Sequence, residues 1–154
     1  MSRGIVVLTG TVETSNEKAR KALPAVFRRI SVEAALTWMS PQDKKLFFRN
    51  FLTRFVHEMR DDEWTRWENQ FLSQDSPWTT KSISVDMLKQ YLMHQITESS
   101  CLNLGEFTST VGAAQVGLQQ VFRVTRAGQS SFFNLVCNHK AATEFLANYA
   151  PVCG

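Results

Sequence analysis

Apolar residues recur with helical spacing in the first part of residues 40–72, and polar residues occupy the positions between them. Ser40 has a hydroxyl that can accept a free backbone N–H, Pro41 suits the first helical position, and Asp43 suits the positive end of the helix dipole. The sequence therefore predicts a helix that begins at Ser40. The apolar stripe of this helix consists of Phe48, Phe51, Leu52, Phe55 and Met59.

The phase of the pattern changes after Arg60. In a continued helix Asp62 would lie within the apolar stripe, and Trp64, Trp67 and Phe71 would lie on the opposite side. We favour a break near residues 61–62, with one of the two aspartates capping a second helix. The alternative is one long helix that is buried on different faces at its two ends.

Three further helices are predicted downstream. The first is capped by Ser84, and the last begins at Ser130 or Ser131, continues through Leu146 and ends before Pro151. Between them, apolar residues spaced by three and four predict a central core helix over residues 104–121. The alternative is a hairpin in which VFRVT pairs with SFFNLVC around RAGQ. The heptad-like residues are Leu104, Phe107, Val111, Ala114, Leu118 and Val121.

These elements predict an all-α fold, a single bundle of six or seven short helices over residues 17–150. Residues 1–16 are rich in Val, Ile and Thr and predict a short extended N-terminal segment. If the C-terminal hairpin forms, the class becomes α+β. The predicted core combines residues 104–121 with Phe48, Phe51, Phe55, Leu88, Leu92, Phe132 and Leu146.

Composition bounds the class of protein. A chain of 154 residues with 44% hydrophobic and 20% charged residues suits one globular domain, and eleven Phe and four Trp make its core aromatic. The apolar start of the chain is too short for a signal peptide, and no apolar run is long enough for a membrane span. Three scattered cysteines fit a reducing compartment, so we expect an intracellular, cytoplasmic protein.

No motif in the sequence names a reaction. Cys137 and His139 are two residues apart, on different sides of a helix, and there is no CxxC pair, so we expect no metal and no cofactor. Glycine-rich phosphate loops and nucleophile elbows are also missing from the sequence. We therefore expect a protein that is not an enzyme. A small cysteine-dependent enzyme built on Cys101 or Cys137 is a third hypothesis.

Positive charge is concentrated early in the chain. Residues 1–60 contain eleven Lys and Arg against five Asp and Glu, whereas residues 61–154 contain six against nine. Such cations can bind phosphate without reading bases, which makes a backbone-reading RNA- or DNA-binding protein the second hypothesis. The predicted contacts are Arg28, Arg29, Lys44, Lys45 and Arg49.

The first hypothesis is a protein that self-associates or docks on a protein partner through aromatic helix faces. Opposed apolar stripes on either side of residues 61–62 predict more apolar surface than one small domain can bury. Trp78 lies in a polar loop that contains proline, so we expect it to be the most exposed tryptophan. The predicted partner-binding residues are Trp64, Trp67, Phe71 and Trp78.

Overall fold

The structure of the chain is a computed structural model, and it describes residues 7, 21–22, 24–27, 38–111 and 118–149. The chain divides into two compact units, Met1–Thr37 and Trp38–Gly154. In the first unit a short helix, α1, spans Pro24–Phe27, and its leading proline suits a helix start. Apart from Val7, the predicted extended segment 1–16 lies outside the described residues, and the boundary after residue 16 stays a prediction.

The first helix of the second unit, α2, spans Pro41–Leu52 and confirms the predicted start. The Ser40 hydroxyl accepts a hydrogen bond from the Asp43 backbone N–H at 3.1 Å, and the Asp43 carboxylate accepts one from the Ser40 N–H at 3.1 Å. This reciprocal pair satisfies two backbone donors that a helix start otherwise leaves free. The first turn of α2 is therefore fixed in place.

The predicted break between the two stripes is confirmed, but it covers more of the chain. Helix α2 ends at Leu52, and α3 spans Asp61–Phe71. Phe55 and Met59, predicted to extend the first stripe, therefore lie in the connection. The predicted cap was wrong, because Arg60 is the N-cap residue and its N–H donates to the Glu63 carboxylate at 3.0 Å.

A single 3-10 turn, Pro77–Thr79, leads to helix α4, Val85–Cys101. The predicted cap of α4 is confirmed, since the Ser84 hydroxyl accepts from the Met87 N–H at 3.2 Å. At the other end Asn103 has a φ of 57°. This left-handed conformation is one that Asn tolerates and that commonly follows the last turn of a helix.

The predicted core helix over residues 104–121 was wrong, because the chain forms an antiparallel hairpin there. Strand β1 spans Gly105–Val111 and pairs with strand β2, Leu118–Val124, so that Gly105 faces Val124 and Val111 faces Leu118. The alternative prediction of a hairpin was correct for one strand, because VFRVT overlaps β2. Its proposed partner, SFFNLVC, is helical instead.

Gly105 permits the close strand pairing at the base of the hairpin. A Cβ at Gly105 would lie 2.3 Å from the Arg123 carbonyl oxygen and 2.5 Å from the Phe122 ring, so only glycine allows this pairing. Phe107, a predicted core residue, is 61% exposed. The base of the hairpin joins the body through the Val124 N–H, which donates to the Phe55 carbonyl at 2.8 Å.

The predicted last helix is two helices, α5 over Gln129–Val136 and α6 over His139–Asn148. Asn138 separates them, since its side-chain oxygen accepts from the N–H groups of Lys140 and Ala141 at 3.1 and 3.2 Å. Asn is among the residues preferred at a helix N-cap, so Asn138 starts a new helix at this point. The apolar spacing alone did not reveal the break.

The described part of the second unit is mostly helical with one small two-stranded antiparallel sheet. Its core is aromatic, as the composition predicts. The Phe133 ring contacts both Trp64 and Trp67. Phe48 stacks on Phe71 with ring centroids 4.4 Å apart. The largest fully buried side chains are Trp78, Tyr91, Lys44, Phe48, Phe71, Phe132, Phe133, Leu52, Leu88, Leu92 and Val136.

Candidate interaction surface

Three of the four predicted partner-binding aromatics of the first hypothesis lie on α3, and all three are buried. The Trp67 ring stacks on Phe133 at 4.9 Å, and Trp64 meets the edge of the same ring at 5.7 Å. Phe71 stacks on Phe48 of α2. Because the connection after Leu52 turns the chain, the aromatic faces of α2 and α3 meet in one core. These side chains therefore form no outer surface.

The predicted exposure of Trp78 was wrong, since this side chain is 1% exposed. The 3-10 turn holds its ring against Phe71 at 5.9 Å and against Tyr91 at 4.8 Å. Ser76 begins the turn and donates its hydroxyl to the Phe71 carbonyl at 2.5 Å. The loop composition gave no sign of this burial, because the contacts join residues from separate helices.

Lys44, a predicted phosphate contact, is also buried, with 2% of the residue exposed. Its ammonium donates to the carbonyl oxygens of Trp78 at 2.9 Å and Thr80 at 2.5 Å. Loss of water around the ammonium lowers the pKa of Lys44 from its usual value. In this position the side chain ties α2 to the 3-10 turn and does not meet an external anion.

The other two predicted contacts on α2 have partners within the protein. The Lys45 amine donates to the Asn69 side-chain oxygen at 3.0 Å. The Arg49 guanidinium donates to Glu68 at 2.5 Å, lies 3.5 Å from Asp61 and 6.0 Å from the Trp64 ring centroid. These contacts join α2 to α3, and they reduce the positive charge that α2 presents to solvent.

Arg28 and Arg29 lie outside the described residues. The sequence nevertheless divides its charge unevenly between the two units. Residues 1–37 contain six Lys and Arg against three Glu, whereas residues 38–149 contain eleven Lys and Arg and eleven Asp and Glu. The excess of positive charge therefore belongs to the first unit, and the helical unit is close to neutral.

The two described cysteines differ in environment, since Cys137 is buried and Cys101 is exposed at the end of α4. Burial raises the pKa of the Cys137 thiol to about 12, and its sulfur lies 3.8 Å from the Trp67 carbonyl oxygen. A thiol of this kind is inert at neutral pH, because the thiolate is the nucleophile. Among residues 38–111 and 118–149, no group of three His, Cys, Asp or Glu side chains could hold a metal ion.

An apolar groove lies along the outer side of α2. It encloses about 390 Å³. Phe47 and Phe51 stack in it with ring centroids 5.7 Å apart, and Leu46 beside them is 59% exposed. Just before the helix, Trp38 is 61% exposed. The residues that line the groove are Met39, Asp43, Leu46, Phe47, Asn50, Phe51 and Arg54.

The two ends of this α2 groove carry opposite charges. Asp43 lies in the first turn of α2, and the hydrogen bonds from Ser40 lower the pKa of its carboxyl group, which therefore stays ionised. Arg54 follows the C-cap residue Thr53. Its guanidinium has no ion-pair partner in the part of the chain that the structure describes.

The sequence contained a signal for this groove that the periodicity argument missed. Leu46 and Phe47 lie off the main stripe, and with Asp43, Asn50, Phe51 and Arg54 they form a second series spaced by three and one. Such a series lies along one face of a helix. Leu46 and Phe47 form a weaker apolar stripe beside the main stripe of α2, and only the main stripe was recognised in the sequence.

No protein-family model matches the chain, and no curated protein or solved structure is significantly similar to it. None of the described helices combines the length and the apolar character that crossing a membrane requires. The α2 groove is therefore interpreted from its own geometry.

Proposed function

We propose that the protein is a non-enzymatic interaction protein and that the outer face of α2 is its docking surface. The observation that carries this proposal is the exposure of Leu46 beside the stacked rings of Phe47 and Phe51. Phe51 is buried and Phe47 is half-buried against the core, so Leu46 extends into solvent an apolar surface that begins in the core.

Physical arguments support a binding role for this face. Apolar surface left in water costs about 25 cal/mol per Å², so a cluster of exposed apolar side chains gains free energy when a partner covers it. The capping box at Ser40 and the packing of Phe48 and Leu52 hold α2 rigid. A partner therefore meets a preformed surface and loses little free energy to ordering this helix.

Site-specific photo-crosslinking tests the proposal. A photoreactive phenylalanine analogue at Leu46 should give an adduct of defined mass in extracts of cells that express the full chain. The same analogue at Met93, which is exposed on α4, is the matched control and should give none. Equal labelling from both positions, or no adduct from Leu46, would contradict an interaction through the α2 groove.

Binding to the RNA or DNA backbone stays the second proposal, and the charge of residues 1–37 supports it. Arg28 and Arg29 are then the predicted contacts to test. Changing both to Glu should weaken binding to a short RNA at low salt and reduce its salt dependence. Changing Lys81 and Lys89 to Glu is the matched control within the neutral unit. If both pairs of changes have the same effect, the contact is not carried by the first unit.

A further inference from the structure

We propose that the partner of the α2 groove is a second copy of this chain, and that two α2 helices pack antiparallel about a two-fold axis. This inference rests on the proposed function and adds the identity and orientation of the partner. It follows from the order of charged, apolar and polar residues along the groove.

The five groove residues of α2, together with Arg54 two residues past its end, have a spacing that is the same in both directions; Met39, before the helix, is outside this series. Positions 43, 46, 47, 50, 51 and 54 are separated by three, one, three, one and three residues. A two-fold axis beside the midpoint of α2 therefore places each groove position of one copy against another groove position of the second. The reciprocal pairs are Asp43 with Arg54, Leu46 with Phe51, and Phe47 with Asn50.

The chemistry of these pairs is complementary. Asp43 lies in the first turn of α2 and Arg54 lies in the turn just after its last residue, so the opposite charges line the two ends of an apolar centre. One oxygen of the Asp43 carboxylate accepts both hydrogen bonds from Ser40, which leaves the other for an external donor. A planar Arg guanidinium such as that of Arg54 suits this acceptor.

The same charges select the antiparallel arrangement. A two-fold interface brings position i of one copy against position j of the other, and j against i. If the two helices ran parallel, Asp43 would face Asp43 and Arg54 would face Arg54. The antiparallel arrangement replaces both repulsive contacts with two attractive ones, and the exposed Leu46 of each copy then lies over the groove at Phe51 of the other, a ring that is itself largely buried.

Reciprocal charge reversal in the full chain tests this geometry, with light scattering after size exclusion as the measurement. The wild-type protein should dimerise as its concentration rises. Arg54→Asp places two acidic pairs in the interface, and Asp43→Lys places two basic pairs there. Each variant alone should raise the dissociation constant of the dimer by about tenfold or more.

The decisive sample is the equimolar mixture of these two variants. In the mixture every acidic position of one copy meets a basic position of the other, so a heterodimer should form where neither variant dimerises alone. Mass tags on one variant identify the heterodimer in native mass spectrometry. Two variants that stay monomeric together while the wild type dimerises would overturn the antiparallel arrangement.

Leu46→Asp supplies a test that does not depend on charge pairing across the axis. It should abolish the dimer, whereas Met93→Asp on α4 should leave it unchanged, and circular dichroism should show the wild-type helical signal for both. A wild-type chain that stays monomeric at every concentration overturns the inference. The proposed function survives that result only if the Leu46 adduct in extract contains one identified protein that the purified full chain also binds, so the two proposals fail separately.

Discussion

The Lys44 ammonium lies between the carbonyl oxygens of Trp78 and Thr80, in a residue that is 2% exposed. Two carbonyl dipoles stabilise the charge in part, but removal from water disfavours it. The pKa of Lys44 is therefore lower than its ordinary value of 10.5. Charge reversal at this position would disturb the fold, so Lys45 is the better residue for testing contacts with nucleic acid.

The pH dependence of stability should reveal this burial. Between the lowered pKa of folded Lys44 and 10.5, the unfolded chain binds more protons at Lys44 than the folded chain does. The free energy of unfolding therefore rises with pH in this window because of Lys44. Lys44→Met removes that contribution. The free energy of unfolding of the wild type should therefore rise relative to that of the variant as pH rises to 10.5.

Urea denaturation at several pH values measures this difference. Burial raises the pKa values of Tyr91 and Cys137, but these titrations are common to both proteins and cancel in the comparison. Lys45→Met, at the partly exposed neighbouring residue, should give a profile parallel to that of the wild type. Parallel profiles for Lys44→Met as well would show that the ammonium is not buried.

At the residue scale, the sequence could not predict that Lys44 and Trp78 are buried. Lys44 belongs to a run of cations at a helix start, and Trp78 follows a proline in a polar loop. Each is buried by contacts with residues more than ten positions away in sequence. Periodicity and composition describe neighbours along the chain, so they could not predict either environment.

At the element scale, helices α2 and α3 are joined by the pair of Arg49 and Glu68, with Nε and Oε1 2.5 Å apart. The Glu68 side chain is largely buried, so removal of its partner would leave a carboxylate charge without compensation. We expect Arg49→Met to reduce the free energy of unfolding by about 3 kcal/mol, and Arg49→Met with Glu68→Leu to recover part of it.

Urea denaturation of both variants checks this pair, and Arg60 offers a matched control. Its guanidinium pairs with Asp62 at 3.4 Å, but both side chains are exposed. Arg60→Met should therefore change stability by less than about 1 kcal/mol. If Arg49→Met is equally mild, Glu68 finds water or another donor in its place.

The hairpin depends on close contact at Gly105. Gly105→Ala places a methyl group against the Arg123 carbonyl and the Phe122 ring, which forces β1 and β2 apart. We expect a loss of about 1–3 kcal/mol in the free energy of unfolding, as for other overpacked positions. Amide hydrogen exchange should accelerate first in β1 and β2.

Ser109→Ala, at an exposed position of the same strand, is the control and should change stability by no more than about 0.5 kcal/mol. Normal exchange in Gly105→Ala would mean that the strands adjust without separating. The two variants together separate an effect of backbone crowding from an effect of strand propensity.

Element starts were the most predictable part of the fold. Ser40 and Ser84 cap helices as predicted, since a cap is a local interaction between residues three apart. The spacing of residues 104–121 was misleading, because Leu104 and Phe107 fit a heptad while Gly105 is needed for strand pairing. The α2 groove was missed because Leu46 and Phe47 belong to a second, weaker stripe.

At the scale of the whole molecule, the two units differ in charge. The hydrophobic core cluster of the described residues comes entirely from the second unit, between Phe48 and Ala142. The excess positive charge comes from residues 1–37. The first unit therefore supplies the net positive charge of the chain.

A fragment of residues 38–154 should therefore fold by itself. We expect it to keep the helical circular dichroism signal of α2 to α6 and to unfold in a single cooperative urea transition, because the buried core of the described residues lies between Phe48 and Ala142. The fragment should also lose any binding to RNA that the full chain shows at low salt. A non-cooperative transition would mean that residues 1–37 complete the core.

The placement of Lys44 beside Lys45 also allows the opening of the 3-10 turn to be measured by chemical labelling. A small acylating reagent can reach the Lys45 amine in the folded protein, but it can reach the neighbouring amine only when the 3-10 turn lifts away from α2. The ratio of the two labelling rates then reports the fraction of molecules in which the turn is open. One peptide, read by mass spectrometry, would carry both the signal and its internal reference.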